Sequence, residues 1–447
     1  MSLIFKAFLI HGHGSLHLLL ATMVPIIKNK LASVNSSKNY RSICLSSLML
    51  KILDWVIIVL HGDALKLHDL QFAYQPECSP SMCTWGALET IGFFSRNGSD
   101  VFCCLMDNSK AFDRVRFSIL FKKILKTSLP GVFCRLLFFI YLHQFANVRW
   151  NNEFTRSFSV KNGVRQGAVL SGILYCFYMN GLFSSLEEAG HGCWVESVFC
   201  GIWGYSDDSL LLAPSLEALQ SMLRICENYA NEHNLLFSTD KDPSKCKTKC
   251  IAFLQKKKRR ETSSLPHMIL CGNPLPWVED GLHLGHHLTN EYNGLKKDIL
   301  VKRGQYIERN CELLQEFRFE HPKVRMRLNM TYNSHFTGSP LWDIFSREFQ
   351  MLENSWNVSI RNTYNLPFNT HRVLIGPISE LPHLRTFLVK RFLSFVQKVK
   401  NSEKGRISHI LKHVINDCRS ICGNNMRNIL LQTNKTNVLE LKPSDAF

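Results

Sequence analysis

The distribution of apolar and polar positions places several elements at once. Val101 to Met106 is a short continuous apolar run ending at Asp107, which predicts a buried strand delivering a carboxylate at its C-terminal edge. A helix is predicted to follow from Arg114. Ile202 to Tyr205 and Leu210 to Ala213 flank the polar tetrad Ser206-Asp207-Asp208-Ser209, a pattern that predicts a β-hairpin with carboxylates at its tip. Leu216, Leu219, Leu223, Cys226 and Ala230 then recur at helical spacing, with Glu217, Arg224, Glu227 and Asn231 on other faces. That reads as an amphipathic helix opened by Pro214. Strand, helix, hairpin and helix in this order predict an α+β fold, a split β-α-β sheet with helices on one side. In such a fold Asp107 and Asp207 become neighbours, although 100 residues separate them. Beyond Asn290 the pattern changes to longer, basic, mainly helical segments, read as a separate lobe.

Composition adds a partner class. With 447 residues, 45% hydrophobic and 20% charged, the chain can bury substantial cores in about two to four lobes and is expected to be ordered. A formal charge of +17 favours a polyanion, nucleic acid or acidic membrane, over a neutral small substrate. From residue 291 onward 24 Lys and Arg face 14 Asp and Glu, so ten of the seventeen excess charges fall in the last third. A second cluster, Lys256-Lys257-Lys258-Arg259-Arg260, suits phosphate contact or nuclear import, with a solvated hairpin loop as the simpler reading. The sixteen cysteines show no C-x-x-C pairing and often sit in apolar runs, as at Cys103-Cys104 and Cys176. They read as buried free thiols of a reducing compartment. His283, His286 and His287 lack zinc-site spacing and are read as structural.

The stretch from Phe5 to Val24 imitates a signal peptide, but His11, His13 and His17 interrupt it and no small-residue cleavage pattern follows. The expectation is an intracellular protein, in cytoplasm or nucleus, that is not secreted. Lys51 and Asp54 break the apolar run around Ile43 to Leu60. No run is therefore expected to span a bilayer, and no membrane partner is expected.

Phosphoryl transfer between polyanions needs positive charge at the reacting centre, and facing carboxylates can hold two Mg²⁺ ions there. Alone, the pair Asp207-Asp208 is more often a solvated turn. Here an apolar strand precedes each carboxylate segment, and Gly163-Val164-Arg165-Gln166-Gly167 lies between them. The ordered set Asp107-Asn-Ser-Lys-Ala-Phe112-Asp113, Gly163 to Gly167 through Leu170-Ser171, and Tyr205-Ser-Asp207-Asp208 resembles motifs A, B and C of reverse transcriptases, in the flavour of non-LTR (LINE-type) retrotransposons. Val24 to Lys28 and Asn39 to Ile43 resemble the fingers segments of that family. Ser244 to Cys250 and Leu284-Gly285 resemble motifs D and E. Ile360-Arg361 and Leu366 to His371 resemble the region downstream of the polymerase.

The resemblance implies a right-hand polymerase: fingers over 1–98, palm with motif A over 99–126, a fingers/palm insertion over 127–162, palm with motifs B to E over 163–290, and a basic helical thumb and C-terminal region over 291–447. It implies an RNA-directed DNA polymerase that extends a DNA primer with dNTPs on an RNA template, using two Mg²⁺ ions, with Mn²⁺ as a substitute. Asp107 and Asp207 would ligate the metals and Asp208 would sit beside them as an auxiliary carboxylate. Arg41 would grip the triphosphate, helped by Lys28 or Lys30. Gln166 and Gly167 would frame the nascent pair. Phe112 would act as a steric gate against a ribose 2′-hydroxyl, or else be a plain core aromatic. Lys247, or its neighbours Lys245 and Lys249, would donate a proton to pyrophosphate. Leu284 and Gly285 would grip the primer end.

Three departures stand out. Gly172 takes the place of a usual proline, which is expected to loosen a turn at the template site. Ser206 replaces a usual alanine. The stretch Gln71 to Glu77 lacks the basic residue expected after its aromatic. No endonuclease fits ahead of Val24, so target nicking is expected from a separate protein; the oligomeric state stays open. The alternative to a polymerase is a catalytically inactive, retrotransposon-derived nucleic-acid-binding protein.

Overall fold

Six consecutive buried residues, Val101 to Met106, form the centre of a four-stranded sheet in a computed structural model that describes every residue except Met1, Leu31, 256–263, Asn434 and Phe447. The strands run in the order Lys249–Phe253, Val101–Asp107, Asp208–Ala213 and Ile202–Tyr205, each antiparallel to its neighbour. Because side chains alternate across a strand, an unbroken buried run means that both sheet faces are covered. Helices Pro80–Arg96 and Leu216–His233 both contact the central strands, and Leu105 fills the space beside Gly281 of a hairpin further along the chain. The expected α+β arrangement of a sheet packed by helices is present, and cover on both sheet faces is why the strand reads as a continuous apolar run.

Arg114 ends a short 3-10 turn, Phe112–Arg114, and the α-helix begins later, at Phe117–Ile124. The amphipathic helix spans Leu216–His233, with Ser215 as its cap accepting a hydrogen bond from the Ala218 N–H. Pro214 precedes that cap and does not open the helix.

A second sheet joins residues distant in sequence: Tyr40–Leu45 pairs antiparallel with Leu20–Ile27, which pairs parallel with Phe145–Trp150. Its parallel pairing is non-local and left no mark in the sequence pattern. The chain after residue 295 is helical, with Lys296–Glu316, Pro322–Tyr332, Arg347–Tyr364, Arg372–Ser379, Leu384–Lys400, Gly405–Val414 and Ile421–Leu430. Buried Trp342, Trp356 and Tyr306 occupy its interior.

One apolar helix bears on the expectation that no run spans a bilayer. Val169–Ala189 is long and apolar enough to cross a membrane by length and composition, yet 61% of its apolar window is buried inside the protein. Leu170, Leu174, Tyr178, Leu182 and Leu186 are all fully buried, so its apolar character is that of a core helix enclosed by protein. All sixteen cysteines are free thiols, twelve of them buried. His283 meets the Thr84 hydroxyl at 3.1 Å, and His286 is fully buried. The basic cluster Lys256 to Arg260 lies outside the described residues.

Candidate active site

The strand and hairpin bring the three carboxylates together. Asp107 and Asp208 are opposed across the antiparallel pairing, and Asp207 forms the hairpin tip with Ser206. Ser206 takes φ +59°, a left-handed conformation suited to a two-residue turn. Burial pushes the Asp207 carboxyl above its usual range, and the Asp107 charge adds to that effect. Asp208 is pushed up to about 6 by burial first, then by the charges of Asp207 and Asp107. Three like charges in a half-buried place, offering hard oxygen donors, suit Mg²⁺ or Mn²⁺, which would offset both the burial and the mutual repulsion.

Two cations face this group. Arg41, exposed on the strand Tyr40–Leu45, acts on both Asp207 and Asp208 and lowers their pKa values against the effect of burial. Lys247 places its Nζ 3.8 Å from the Asp107 Oδ2, whereas Lys245 is turned to Asp242 at 3.4 Å. Lys247 is thus brought to the carboxylates and Lys245 is turned away from them. Lys28 lies just past the end of the strand Leu20–Ile27, its N–H donating to the Asn39 carbonyl.

The loop before the long core helix is fixed by close backbone approach. Gly167 has φ +116°, and a Cβ there would lie 2.8 Å from the Cys44 carbonyl oxygen. Both facts require glycine. The Cys44 N–H donates to the Gln166 carbonyl at 2.8 Å, so Gln166 and Gly167 are stitched to the strand that carries Arg41. At the other end of the loop the Val164 N–H donates to the Phe112 carbonyl at 2.9 Å. The Phe112 ring stacks on Tyr175, with 5.0 Å between centroids. Leu284 and Gly285, both at positive φ, make the turn between strands Asp280–His283 and His286–Thr289. This hairpin packs on the central sheet through Gly281.

Gly172 is not in a turn. It lies in the first turn of the helix Val169–Ala189, where a Cβ would overlap the Tyr74 ring at 2.1 Å. The expected loosening is replaced by substitution of one ring for another: an aromatic ring fills the room a proline would take.

Several supporting residues escaped the sequence reading. Fully buried Gln71 brackets the hairpin tip: its Oε1 accepts from the Ser206 N–H at 2.9 Å and its Nε2 donates to the Ser206 carbonyl at 3.4 Å. Buried Asn108 donates to the Asp207 carbonyl at 3.2 Å and to the Tyr175 hydroxyl at 3.3 Å. Gln71 acts across 135 residues, a separation at which a lone glutamine carries no sequence signal. For Asn108 the sequence carries one signal, its place directly after Asp107.

Residues 27–258, just over half of the chain, match the family model described as reverse transcriptase (RNA-dependent DNA polymerase). The protein belongs to the reverse transcriptase family, whose enzymes are RNA-directed DNA polymerases that use divalent metal ions. Among solved structures it is similar to apo telomerase from Candida tropicalis, with 9% identity and a TM-score of 0.46 over 94% of this chain and 68% of that one. A form of that telomerase truncated from its C-terminal domain matches with 13% identity and a TM-score of 0.41 over 62% of this chain. Telomerase from Candida albicans in complex with a TWJ fragment of telomeric RNA matches with 12% identity and a TM-score of 0.37 over 89% of this chain. The chain spans 54% of the truncated telomerase chain and 64% of the Candida albicans chain.

Proposed function

We propose that the protein is an RNA-directed DNA polymerase of the non-LTR retrotransposon type, extending a DNA primer with dNTPs on an RNA template. The observation that carries this reading is the opposition of Asp107 and Asp208 with Asp207 at the adjoining tip, faced by Arg41 and Lys247. Asp107 and Asp207, with Asp208 beside them, would hold two divalent ions, which would supply activation of the primer 3′-hydroxyl and charge stabilisation at the leaving oxygen. Arg41 would bind the triphosphate, joined by Lys28, and Lys247 would hold a proton near the β-phosphate. Phe112 would exclude a 2′-hydroxyl, Gln166 and Gly167 would orient the nascent pair, and the Leu284-Gly285 hairpin would hold the primer end. In this reading residues 1–98 and 127–162 serve as fingers, 99–126 and 163–290 as palm, and 291–447 as a basic thumb and C-terminal region, in an intracellular protein.

Primer extension on an RNA template with Mg²⁺ and dNTPs tests this. The wild-type chain is expected to extend, and Asp207→Ala to lose at least about 10³-fold in rate, a loss of about 4 kcal/mol of transition-state stabilisation. If the folded, hybrid-binding wild type adds no nucleotide with either Mg²⁺ or Mn²⁺, the polymerase reading fails in favour of an inactive nucleic-acid-binding protein.

A further inference from the structure

Away from the aspartates, two segments 213 positions apart meet in a second cluster of ligating side chains. His409 and His413 are one helical turn apart on Gly405–Val414, so both rings leave the same face. Glu196 sits in the two-residue turn between strands Trp194–Val195 and Val198–Phe199. The two imidazoles meet through their Nε2 atoms at 3.2 Å, and a Glu196 Oε2 stands 3.2 Å from His413 Nε2 and 3.6 Å from His409 Nε2. Among the described residues this is the one group of three His, Cys, Asp or Glu whose ligand atoms all lie within 4.8 Å of one another.

Those three separations are the edges of a tetrahedral face. Zinc bonds to imidazole and carboxylate of about 2.0–2.2 Å in a tetrahedron set ligand atoms about 3.3–3.6 Å apart. The donor set, two imidazoles and one carboxylate, suits a divalent transition metal better than Mg²⁺, which prefers oxygen donors and water.

The ligands are held in place by other contacts. Lys404, just ahead of the helix, donates through Nζ to the backbone carbonyls of Asp69 and Gln71. Arg406 makes a bidentate pair with Glu187 at 2.7 and 2.9 Å and donates to the Phe199 carbonyl, on the strand that leaves the Glu196 turn. The His413 ring stands edge-on to Phe93, 6.5 Å between centroids. The Lys404 and Arg406 contacts involve none of the three ligands, so helix and hairpin are docked independently of them, which keeps the loss of freedom on metal binding small.

We propose that Glu196, His409 and His413 form a site for a divalent transition metal of the Zn²⁺ class, with its fourth position open to solvent. The metal clips the helix Gly405–Val414 to the hairpin that carries Glu196. The same helix leads from Lys404, which reaches the backbone of Gln71, the residue bracketing the Ser206-Asp207 tip. The clip therefore holds an element joined through one residue to the carboxylate turn.

The test uses the full chain freed of metal with EDTA, then titrated with Co²⁺ in excess Mg²⁺, so that the aspartates are occupied by the hard ion. One equivalent of Co²⁺ is expected to give the visible d–d bands of a four-coordinate centre, displaced by Zn²⁺. Zn²⁺ is expected to raise the melting temperature by about 2–5 °C. His409→Ala should abolish both effects. Glu196→Gln, at an exposed turn position where misfolding is not expected, should weaken Co²⁺ binding by at least about tenfold. His413→Cys should retain a four-coordinate spectrum with added thiolate charge-transfer absorption. Absence of a four-coordinate Co²⁺ spectrum in the wild type, or an identical titration in Glu196→Gln, overturns the proposal.

Discussion

Phe112 illustrates how one residue acquires a role from its neighbours. Its ring is half-buried and stacked on Tyr175, which is fully enclosed and whose hydroxyl is held by Asn108. A ring fixed on its far face cannot swing away to admit a larger group. With the polymerase reading, Phe112→Ala is expected to lower discrimination against ribonucleotides by about 10- to 100-fold, on the scale of one small group admitted to a pocket. Competition of rNTPs against dNTPs in primer extension measures it, and unchanged discrimination would assign the ring to packing. Gly172 and Tyr74 teach the same lesson from the other side. The glycine read as a defect in isolation is matched by a ring that occupies its space, and only the contact reveals the pairing.

At the scale of elements, the core helix Val169–Ala189 begins after Ala168, a residue with no side chain to cap it. The cap comes from elsewhere: Asp54 of the helix Leu48–His61 accepts the Leu170 N–H through Oδ2 at 3.3 Å. Burial raises the Asp54 carboxyl to about 6, against the lowering pull of the Leu170 N–H and Arg165. A carboxyl with a raised folded-state pKa stabilises most fully when protonated, below its ordinary value of 3.8. That contribution fades as pH rises through about 6. Asp54→Asn keeps an acceptor oxygen and removes the charge. It should equal the wild type near pH 4 and exceed it near pH 8 by about 1–2 kcal/mol, because water screens part of the charge of the incompletely buried carboxylate. Urea unfolding at both pH values reads the difference. Lower stability of the variant at the higher pH would mean that attraction between the carboxylate and the helix N-terminus outweighs burial.

Over the whole molecule the charge is uneven. Ten of the seventeen excess positive charges lie beyond residue 290, where Lys296, Lys297, Arg309, Lys390, Lys398 and Lys400 are exposed on helices. Backbone phosphate contacts release counterions, so affinity for an RNA–DNA hybrid should fall with salt, with a log–log slope of about −0.9 per phosphate engaged. Fluorescence anisotropy with a labelled hybrid should show at least about a tenfold loss between about 50 and about 200 mM salt. A flat dependence would remove the basic lobe from nucleic-acid binding.

Within one segment, the physics is local and legible. The apolar run to Asp107, the hairpin around Asp207 and the spacing of Leu216 to Ala230 follow from periodicities of two and 3.6 residues that any folded context must respect. They placed the central strand, the tip and a packing helix, and with the glycines of the loop over 163–167 they pointed to the family. Tertiary structure decided what depends on contact between distant residues. It set Gln71 around the tip, Asp54 at the head of another helix, Tyr74 against Gly172, and Glu196 beside His409 and His413. It also decided that the apolar helix Val169–Ala189 lies within the protein. The physical reason is common to all of these: a side chain's partner far away in sequence is chosen by packing of whole elements, and packing leaves no period in the sequence.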